Sequence, residues 1–322
     1  MDIAASLILQ ILGLLGSIVL LWKGADLFVD GAVQIARRFK ISELAIGLTL
    51  VGFGTSAPEF AVSIGAALTG RPDISVGNIV GSNIFNLGFI LGGCAAVFPM
   101  LTSRKLVYRD GLFLIGVTVG LAFFIGDLTL SRWEGALMIL LLTGYLVALF
   151  RERSSFDDEA EEGDQQGHQA EGRWGILLGF VGLLMVLGGA HLLVLCASHM
   201  ARAAGMSEWV IGVTIIAAGT SAPELVTCLA AAFKGKHGMS VGALIGSDLY
   251  NLLGVLGVAS LISPLQIDPA GRSSVYLLVA MVTLVVFFMR TGWKIRRWEG
   301  LTLVGINLVR WLMDMGAVSW PG

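Results

Sequence analysis

Long apolar stretches separated by short polar segments recur along the whole chain. Each stretch is close to the length of about 20 residues that a helix needs to cross the roughly 30 Å hydrocarbon layer of a membrane. We predict ten membrane-spanning helices, the first of which continues toward residue 36. Their approximate bounds are 4–22, 44–69, 73–98, 107–125, 135–150, 174–198, 209–233, 239–263, 274–289 and 299–319. The pattern predicts an all-α polytopic membrane protein.

The composition agrees with this prediction. Of 322 residues, 56% are hydrophobic and only 14% are charged, whereas about 25% charged residues is usual in soluble domains. The first apolar run lacks the basic leader and cleavage site of a secretory signal, so we expect no cleavage there. The three cysteines, Cys94, Cys196 and Cys228, lie in apolar runs. This placement favours small packing residues over a disulfide framework or a metal cluster.

The Lys and Arg residues are unevenly distributed between the two sides that ten spans define. On one side lie the basic residues of 37–40, 104–109, 151–173, 234–236 and 290–297. On the other side lie only Arg71, Arg132, Arg202 and Arg272. The basic side of a membrane protein usually faces the cytoplasm. We therefore predict a multi-pass protein of the cell membrane (inner or plasma membrane) with both termini outside the cytoplasm.

The segment 151–173, RERSSFDDEAEEGDQQGHQAEGR, differs from all other loops because it is acidic and lacks residues that could form a core. We predict a disordered cytoplasmic linker between two domains, residues 1–150 and 174–322. A regulatory cation site on the acidic residues of 157–162 is an alternative. A solvated linker is favoured, because the acidic run has no defined ligand spacing.

The chain contains an internal repeat at an offset of 165 residues. The sequence IGLTLVGFGTSAPE at 46–59 matches IGVTIIAAGTSAPE at 211–224, and SVGNIVGSNIFNL at 75–87 matches SVGALIGSDLYNL at 240–252. The repeat indicates two tandem copies of a five-helix unit. Because five is odd, the two copies must cross the membrane in opposite directions. Such inverted repeats recur in secondary transporters, with the substrate site near the midplane at the repeat interface.

Each copy of GTSAPE combines a helix break with a carboxylate. Pro58 has no N–H, so the carbonyl of Gly54 loses its helical partner, and Thr55 and Glu59 share one helix face because they are four residues apart. The second copy repeats this arrangement at Gly219, Thr220, Pro223 and Glu224. An ionised carboxylate in a bilayer costs at least about 2.5 kcal/mol, which indicates a function. Protonation, or pairing with basic residues, is the alternative explanation for the two glutamates.

The helix that follows each break adds polar residues on one face. Ser82 and Asn86, like Ser247 and Asn251, are four residues apart. With both halves face to face, all of the candidate ligand atoms are oxygens, which hard cations such as Ca²⁺ and Na⁺ prefer. The two glutamates together carry a charge of −2, which matches one Ca²⁺ or a set of Na⁺ ions.

These residues resemble the two α-repeats of the cation/calcium exchanger family, the sodium/calcium antiporters of prokaryotic type. The resemblance covers essentially the whole chain and is carried by the doubled GTSAPE…GSxxxN pattern. It implies exchange of cytosolic Ca²⁺ for Na⁺ at one central site by alternating access, with the first and sixth helices sliding against the others. It also implies ion ligands at Thr55, Glu59, Ser82, Asn86, Thr220, Glu224, Ser247 and Asn251, and at backbone oxygens near Gly52 and Ala217.

The sequence departs from the family pattern at two positions. Some members carry an acidic residue where this chain has Asn251, and those that also require K⁺ share that acidic pattern, so Asn251 argues mildly against K⁺ transport. Asp248 stands where the first copy has Asn83. Asp248 could serve as an ion relay or proton carrier, or it could bond a neighbouring helix, and the sequence leaves both open.

Other functions remain as rivals. A Ca²⁺/H⁺ antiporter would use the same site, because glutamates can carry protons once an ion has left. An ion channel would conduct without a counter-ion. An intramembrane hydrolase based on Ser56 or Ser221 would leave the doubled motif unexplained, and the chain has no HExxH motif. We therefore expect a transporter rather than an enzyme, with Ca²⁺, Na⁺ and possible H⁺ as its ions, lipid around it, and no cofactor, nucleic acid or obligate protein partner.

Overall fold

The computed structural model describes residues 3–39, 41–69, 72–151, 174–206, 215, 217–267 and 269–314. This part of the chain consists of helices and two short β-ribbons. In chain order the helices are α1 (Ile3–Phe39), α2 (Glu43–Thr55), α3 (Ala57–Leu68), α4 (Pro72–Phe85, Asn86–Leu91 and Gly92–Val97), α5 (Leu106–Asp127), α6 (Arg132–Arg151), α7 (Trp174–Ala203), α8 (Ala217–Thr220), α9 (Ala222–Phe233), α10 (His237–Ile262), α11 (Pro269–Arg290) and α12 (Arg297–Asp314).

Seven helices of the described part are long and apolar enough to cross a membrane, and the pair α2 and α3, bent by 49°, would make an eighth. The chain is therefore an all-α, multi-pass membrane protein. The predicted spans 209–233 and 299–319 depend partly on residues 209–214, 216 and 315–319, which lie outside the described residues. The predicted linker also lies outside them, apart from Arg151.

The repeat offset of the sequence recurs in the bounds of the elements. Helices α3 and α9 begin and end 165 residues apart. The strands are β1 (Met100–Leu101), β2 (Thr129–Leu130), β3 (Leu265–Gln266) and β4 (Lys294–Ile295). Strand β1 pairs antiparallel with β4, and β2 pairs antiparallel with β3. Exchanging the two halves of the chain therefore converts one ribbon into the other, and each ribbon joins both halves.

Helices α1 and α7 lie against each other with little space between their backbones. A Cβ atom on Gly31 would clash with the Cα atom of Gly179, and a Cβ atom on Gly24 would lie 2.8 Å from the carbonyl oxygen of Gly182. Small residues at such contacts let membrane helices approach closely. Packing between the two helices therefore explains Gly24, Gly31, Gly179 and Gly182.

Helices α4 and α10 form the centre of the molecule. Most of α4 and nearly all of α10 are buried, whereas α1 and α6 expose most of their surface. Each central helix widens into a π-helical segment, Asn86–Leu91 in α4 and Tyr250–Val255 in α10. A π-helical turn changes the direction in which side chains point and is frequent at functional sites. The two segments contain Asn86 and Asn251, which the sequence predicts as ion ligands.

Candidate functional site

Two helix breaks place the glutamates. Ser56 separates α2 from α3, and Ser221 separates α8 from α9; their ψ angles of 2° and 7° depart from helical geometry. Each break is followed by the repeated proline in the first turn of the next helix, as the sequence predicts. Glu59 and Glu224 consequently lie in the first turns of α3 and α9, where the helix dipole stabilises negative charge.

The carboxylate of Glu59 is fully buried between the two halves of the chain. Its Oε1 atom accepts hydrogen bonds from Ser82 Oγ at 3.4 Å and from Ser221 Oγ at 3.3 Å. Ser82 belongs to the same half as Glu59, whereas Ser221 belongs to the other half. Both halves therefore hold this carboxylate in place.

Glu224 occupies the equivalent position in the second half and is 2% exposed. Its Oε1 atom accepts a hydrogen bond from Ser247 Oγ at 3.0 Å, and Ser247 Oγ is 2.8 Å from Ser56 Oγ. The hydroxyl groups of Thr55 and Ser56 also lie within interaction range of the Glu224 carboxylate. The two glutamates are close enough to interact electrostatically.

A second group of polar residues joins α4 to α10, and we call it the amide cluster: Asn83, Asn86, Asp248 and Asn251, all fully buried. Asn86 Nδ2 donates to Asp248 Oδ1 at 3.1 Å, and Asn251 Nδ2 donates to Asn83 Oδ1 at 3.0 Å. The two bonds are equivalent under the repeat, because shifting both residues of one bond by 165 positions gives the other bond. Asn83 Nδ2 donates to the backbone oxygen of Asp248, its own repeat partner, at 3.1 Å.

The side-chain NH₂ groups of the amide cluster donate to other residues of the cluster. Several acceptor oxygens of the site therefore have no donor among the described residues. Five buried side-chain oxygens of the site receive no hydrogen bond from the described residues: Glu59 Oε2, Glu224 Oε2, Asn86 Oδ1, Asp248 Oδ2 and Asn251 Oδ1. Each buried acceptor left in this way costs about 1–3 kcal/mol, and more if charged. In the described part of the chain, no Lys or Arg forms a salt bridge with these carboxylates. A hard cation would satisfy oxygens of this kind.

The structure brings most of the predicted ligands together around the two glutamates and the amide cluster. These are Thr55, Glu59, Ser82, Asn86, Glu224, Ser247 and Asn251. Thr220 is buried at the end of α8, and Ala217 begins that helix. Among the described residues, no three His, Cys, Asp or Glu side chains converge on one point. A cation here would therefore depend largely on hydroxyl and amide oxygens.

Gly52 has two properties that bear on its predicted role. A Cβ atom at this position would lie 2.8 Å from the backbone nitrogen of Ser247, so only glycine allows α10 to pass this closely. The Gly52 carbonyl accepts hydrogen bonds from Ser56 Oγ at 2.8 Å and from Thr55 Oγ1 at 3.3 Å. The same oxygen accepts from the Ser56 backbone N–H at 3.3 Å, so it would contact an ion only after both hydroxyls had turned away, since a carbonyl has two lone pairs.

The sequence prediction omits three residues that the structure places in the site. Ser56 and Ser221 reach across to the opposite half, and Asn83 is central to the amide cluster. The signal for all three was present in the repeat, because Ser56 and Ser221 are copies of each other and Asn83 aligns with Asp248. Asp248 bonds the neighbouring helix α4, as one of its two predicted roles requires.

The family model described as "Sodium/calcium exchanger protein" matches residues 9–151 and 174–311. The sodium/calcium exchanger MaX1 of Methanosarcina acetivorans is 32% identical, over 90% of this chain and 94% of its own length. The inner membrane protein YrbG of Escherichia coli is 32% identical, over 93% and 94%. A structure of the sodium-calcium exchanger NCX_Mj soaked with Na⁺ and Sr²⁺ has a TM-score of 0.82 and 33% identity, over 94% of this chain and 98% of that chain.

The chain therefore belongs to the sodium/calcium exchanger family. It is a cation/calcium antiporter of the membrane and not an enzyme.

Proposed function

We propose that this protein exchanges Na⁺ for Ca²⁺ and exports Ca²⁺ from the cytoplasm, using the inward Na⁺ gradient. The observation that carries the proposal is the set of five buried acceptor oxygens at the site that receive no hydrogen bond from the part of the chain that the structure describes. Glu59 and Glu224 would neutralise Ca²⁺. Thr55, Ser82, Asn86, Thr220, Ser247 and Asn251 would complete its shell, with backbone oxygens near Gly52 and Ala217.

The proposed architecture is ten membrane-spanning helices arranged as two inverted five-helix repeats. The first repeat is 1–150, the second is 174–322, and the acidic linker 151–173 lies in the cytoplasm, with both termini outside. Three pairs of contacts support this arrangement, because the two members of each pair are equivalent under the repeat. They are the two β-ribbons, the two Ser–Glu bonds and the two bonds of the amide cluster.

Exchange follows from competition for the same oxygens. Ca²⁺ and Na⁺ both prefer oxygen ligands, so the site holds one kind of load at a time, and only loaded forms change their access. The moving element is the pair α1 and α7, which slides across the other helices. The close glycine contacts between α1 and α7 support movement of the two as a unit.

Two relatives support the choice of ions. MaX1 is named a sodium/calcium exchanger, and NCX_Mj is named a sodium-calcium exchanger whose crystals were soaked with Na⁺ and Sr²⁺. Sr²⁺ is a divalent ion with the ligand preferences of Ca²⁺. Both proteins align with this chain over nearly their full lengths.

Uptake of radiolabelled Ca²⁺ into proteoliposomes tests the proposal. Vesicles loaded with Na⁺ should take up Ca²⁺ when diluted into Na⁺-free buffer, and vesicles with only a pH gradient should not. Uptake driven by the pH gradient alone would assign the protein to Ca²⁺/H⁺ exchange. Uptake that needs no counter-ion would identify a channel.

A further inference from the structure

Two of the three cysteines meet where the two halves of the chain pack against each other. Cys94 lies near the end of α4 in the first half, and Cys228 lies in α9 of the second half. Their Sγ atoms are 3.3 Å apart, although the residues are 134 positions apart in the chain. Both are free thiols. The spacing of the cysteines in the sequence does not predict this contact, so the tertiary structure creates it.

A serine of α10 orients the thiol pair. Ser240 is fully buried, and its Oγ atom donates to the Cys228 backbone oxygen at 2.9 Å. The same Oγ atom is 2.9 Å from Cys228 Sγ. A hydroxyl has only one hydrogen, so Ser240 accepts the hydrogen of the Cys228 thiol. Cys228 Sγ therefore presents a lone pair, not a hydrogen, to Cys94.

The repeat shows that packing alone does not require two thiols here. The repeat partner of Cys94 is Ala259, and the repeat partner of Cys228 is Ser63. A methyl group and a hydroxyl group thus fill the equivalent positions in the other half. Any small residue serves for packing at these positions, whereas only two cysteines in contact are capable of forming a covalent bond.

The thiol pair is connected to the candidate ion site through both of its helices. Cys228 follows Glu224 by four residues and shares its face of α9, and Cys94 follows Asn86 on α4. In the predicted orientation α9 runs from Glu224 toward the cytoplasmic side at Lys234. Thiols on that side of a membrane are normally kept reduced. The free thiols are therefore the resting form, and a bond between them requires an oxidant.

We infer that Cys94 and Cys228 are a redox modification site, at which a peroxide converts the two thiols into a disulfide that joins the two halves. The Sγ atoms must approach by about 1.3 Å to reach the S–S bond length of about 2.05 Å. Hydrogen peroxide is close to water in size, which suits a pair that is 1% and 0% exposed. The inference depends on neither the transported ions nor their coupling.

The reaction has two steps. The Cys94 sulfur attacks one peroxide oxygen and the O–O bond breaks, which gives a sulfenic acid at Cys94 and one water. The Cys228 sulfur, whose lone pair faces Cys94, then attacks the Cys94 sulfur. The S–O bond breaks, and the leaving hydroxide takes the proton of the Cys228 thiol to form a second water. Peroxide is thus reduced by the two electrons that the two thiols lose.

Peroxide treatment of the folded, purified Cys196→Ala protein in detergent tests the inference. Cys94 and Cys228 are then the only thiols. After removal of the peroxide with catalase, the protein is unfolded in SDS and its free thiols are alkylated. Alkylation should find no free thiol, and the intact mass should be lower by two hydrogens. Peptide mapping in acid should find Cys94 linked to Cys228, and dithiothreitol should release the two peptides.

The disulfide should also stabilise the protein, because it closes a long loop between the halves. The midpoint of thermal unfolding should rise by roughly 5 °C or more after peroxide treatment. Adding Cys94→Ala or Cys228→Ala to the Cys196→Ala protein gives the matched controls, in which peroxide should neither join two peptides nor raise the midpoint. Peptide mapping of the peroxide-treated wild type gives the same test without any substitution, and Cys196 should remain free there.

Three results would overturn the inference. In the first, Cys94 and Cys228 both remain open to alkylation after peroxide treatment of the folded protein. In the second, the mass increases by added oxygens and no linked peptide forms, which shows that the two sulfurs do not reach each other. In the third, the wild type links Cys196 to one of the pair, or links two chains, instead of joining Cys94 to Cys228.

Discussion

The two halves of the molecule have equivalent side-chain contacts around the glutamates, but their ion pairs at the edge of α9 are not equivalent. Glu59 pairs with Ser82 and Glu224 pairs with Ser247 at equivalent positions, 165 residues apart, although the two distances differ. At the edge of α9, in contrast, Lys234 binds Asp26 and Asp30 of α1, whereas their repeat counterparts are Thr69, His191 and Leu195. The shared residues form the candidate cage for the ion, and these unshared ion pairs join α1 to the end of α9.

The largest effect is expected from the shared carboxylates. Glu59→Gln and Glu224→Gln each keep the shape of the side chain and remove one charge, so each should lower Ca²⁺ uptake into proteoliposomes by at least about 100-fold, the upper range for a disturbed metal site. Glu43→Gln is the control, because Glu43 is 39% exposed and pairs with Lys236 away from the site. Normal transport by either site variant would show that the halves do not share the cage.

A tight contact between the halves should be nearly as sensitive. A Cβ atom on Gly246 would lie 2.5 Å from the backbone oxygen of Leu48. Gly246→Ala forces α10 away from α2 and should lower the free energy of unfolding by about 1–3 kcal/mol, as measured by thermal unfolding in detergent. Gly144→Ala is the control, because no described atom lies within 4 Å of a Cβ at Gly144. Equal stability of the two variants would contradict the contact.

Ser82 and Ser247 offer a test with a smaller expected effect, in which substitutions in the two halves should change the Ca²⁺ affinity by different amounts. Ser247 Oγ is 3.0 Å from Glu224, whereas Ser82 Oγ is 3.4 Å from Glu59, beyond the usual hydroxyl hydrogen-bond length. A hydrogen bond to a charged group contributes about 1.5–3 kcal/mol. Ser247→Ala should therefore raise the half-saturating Ca²⁺ concentration more than Ser82→Ala does. The reverse order would refute this reading of the two distances.

The smallest effect is expected at Lys234. Its Nζ atom is 2.6 Å from Asp26 Oδ1 and 2.6 Å from Asp30 Oδ1, but the three side chains are 26%, 46% and 55% exposed. Such ion pairs contribute about 0–1 kcal/mol. Lys234→Met should therefore change the ratio of apparent Ca²⁺ affinities on the two membrane sides by about fivefold or less.

The control for Lys234 is Lys236→Met. Lys236 pairs with Glu43 of α2 and does not hold α1 through that bond. Its removal should leave the ratio of affinities unchanged. High salt should reduce the effect of Lys234→Met, because it screens exposed charges. A salt-independent change would point to a cause other than the ion pairs.

Much of the site could be predicted from local rules. A proline inside a helical run removes an N–H that the helix would use, so Pro58 and Pro223 indicated the breaks at Ser56 and Ser221. Residues four apart on a helix share a face, so Ser82 with Asn86, and Ser247 with Asn251, could be assigned to one polar surface. The repeat then indicated that both surfaces belong to one site. The number and direction of the membrane spans remain predictions.

The sequence by itself determined which chemical groups are present in the membrane and at which helical positions, because these depend on covalent structure and on contacts a few residues apart. Only the tertiary structure decided which oxygens remain without donors. Asn83 and Asp248 are 165 residues apart, and Lys234 is 204 residues from Asp30. A hydrogen bond between such residues uses a donor of one half and an acceptor of the other, and no local pattern records that pairing.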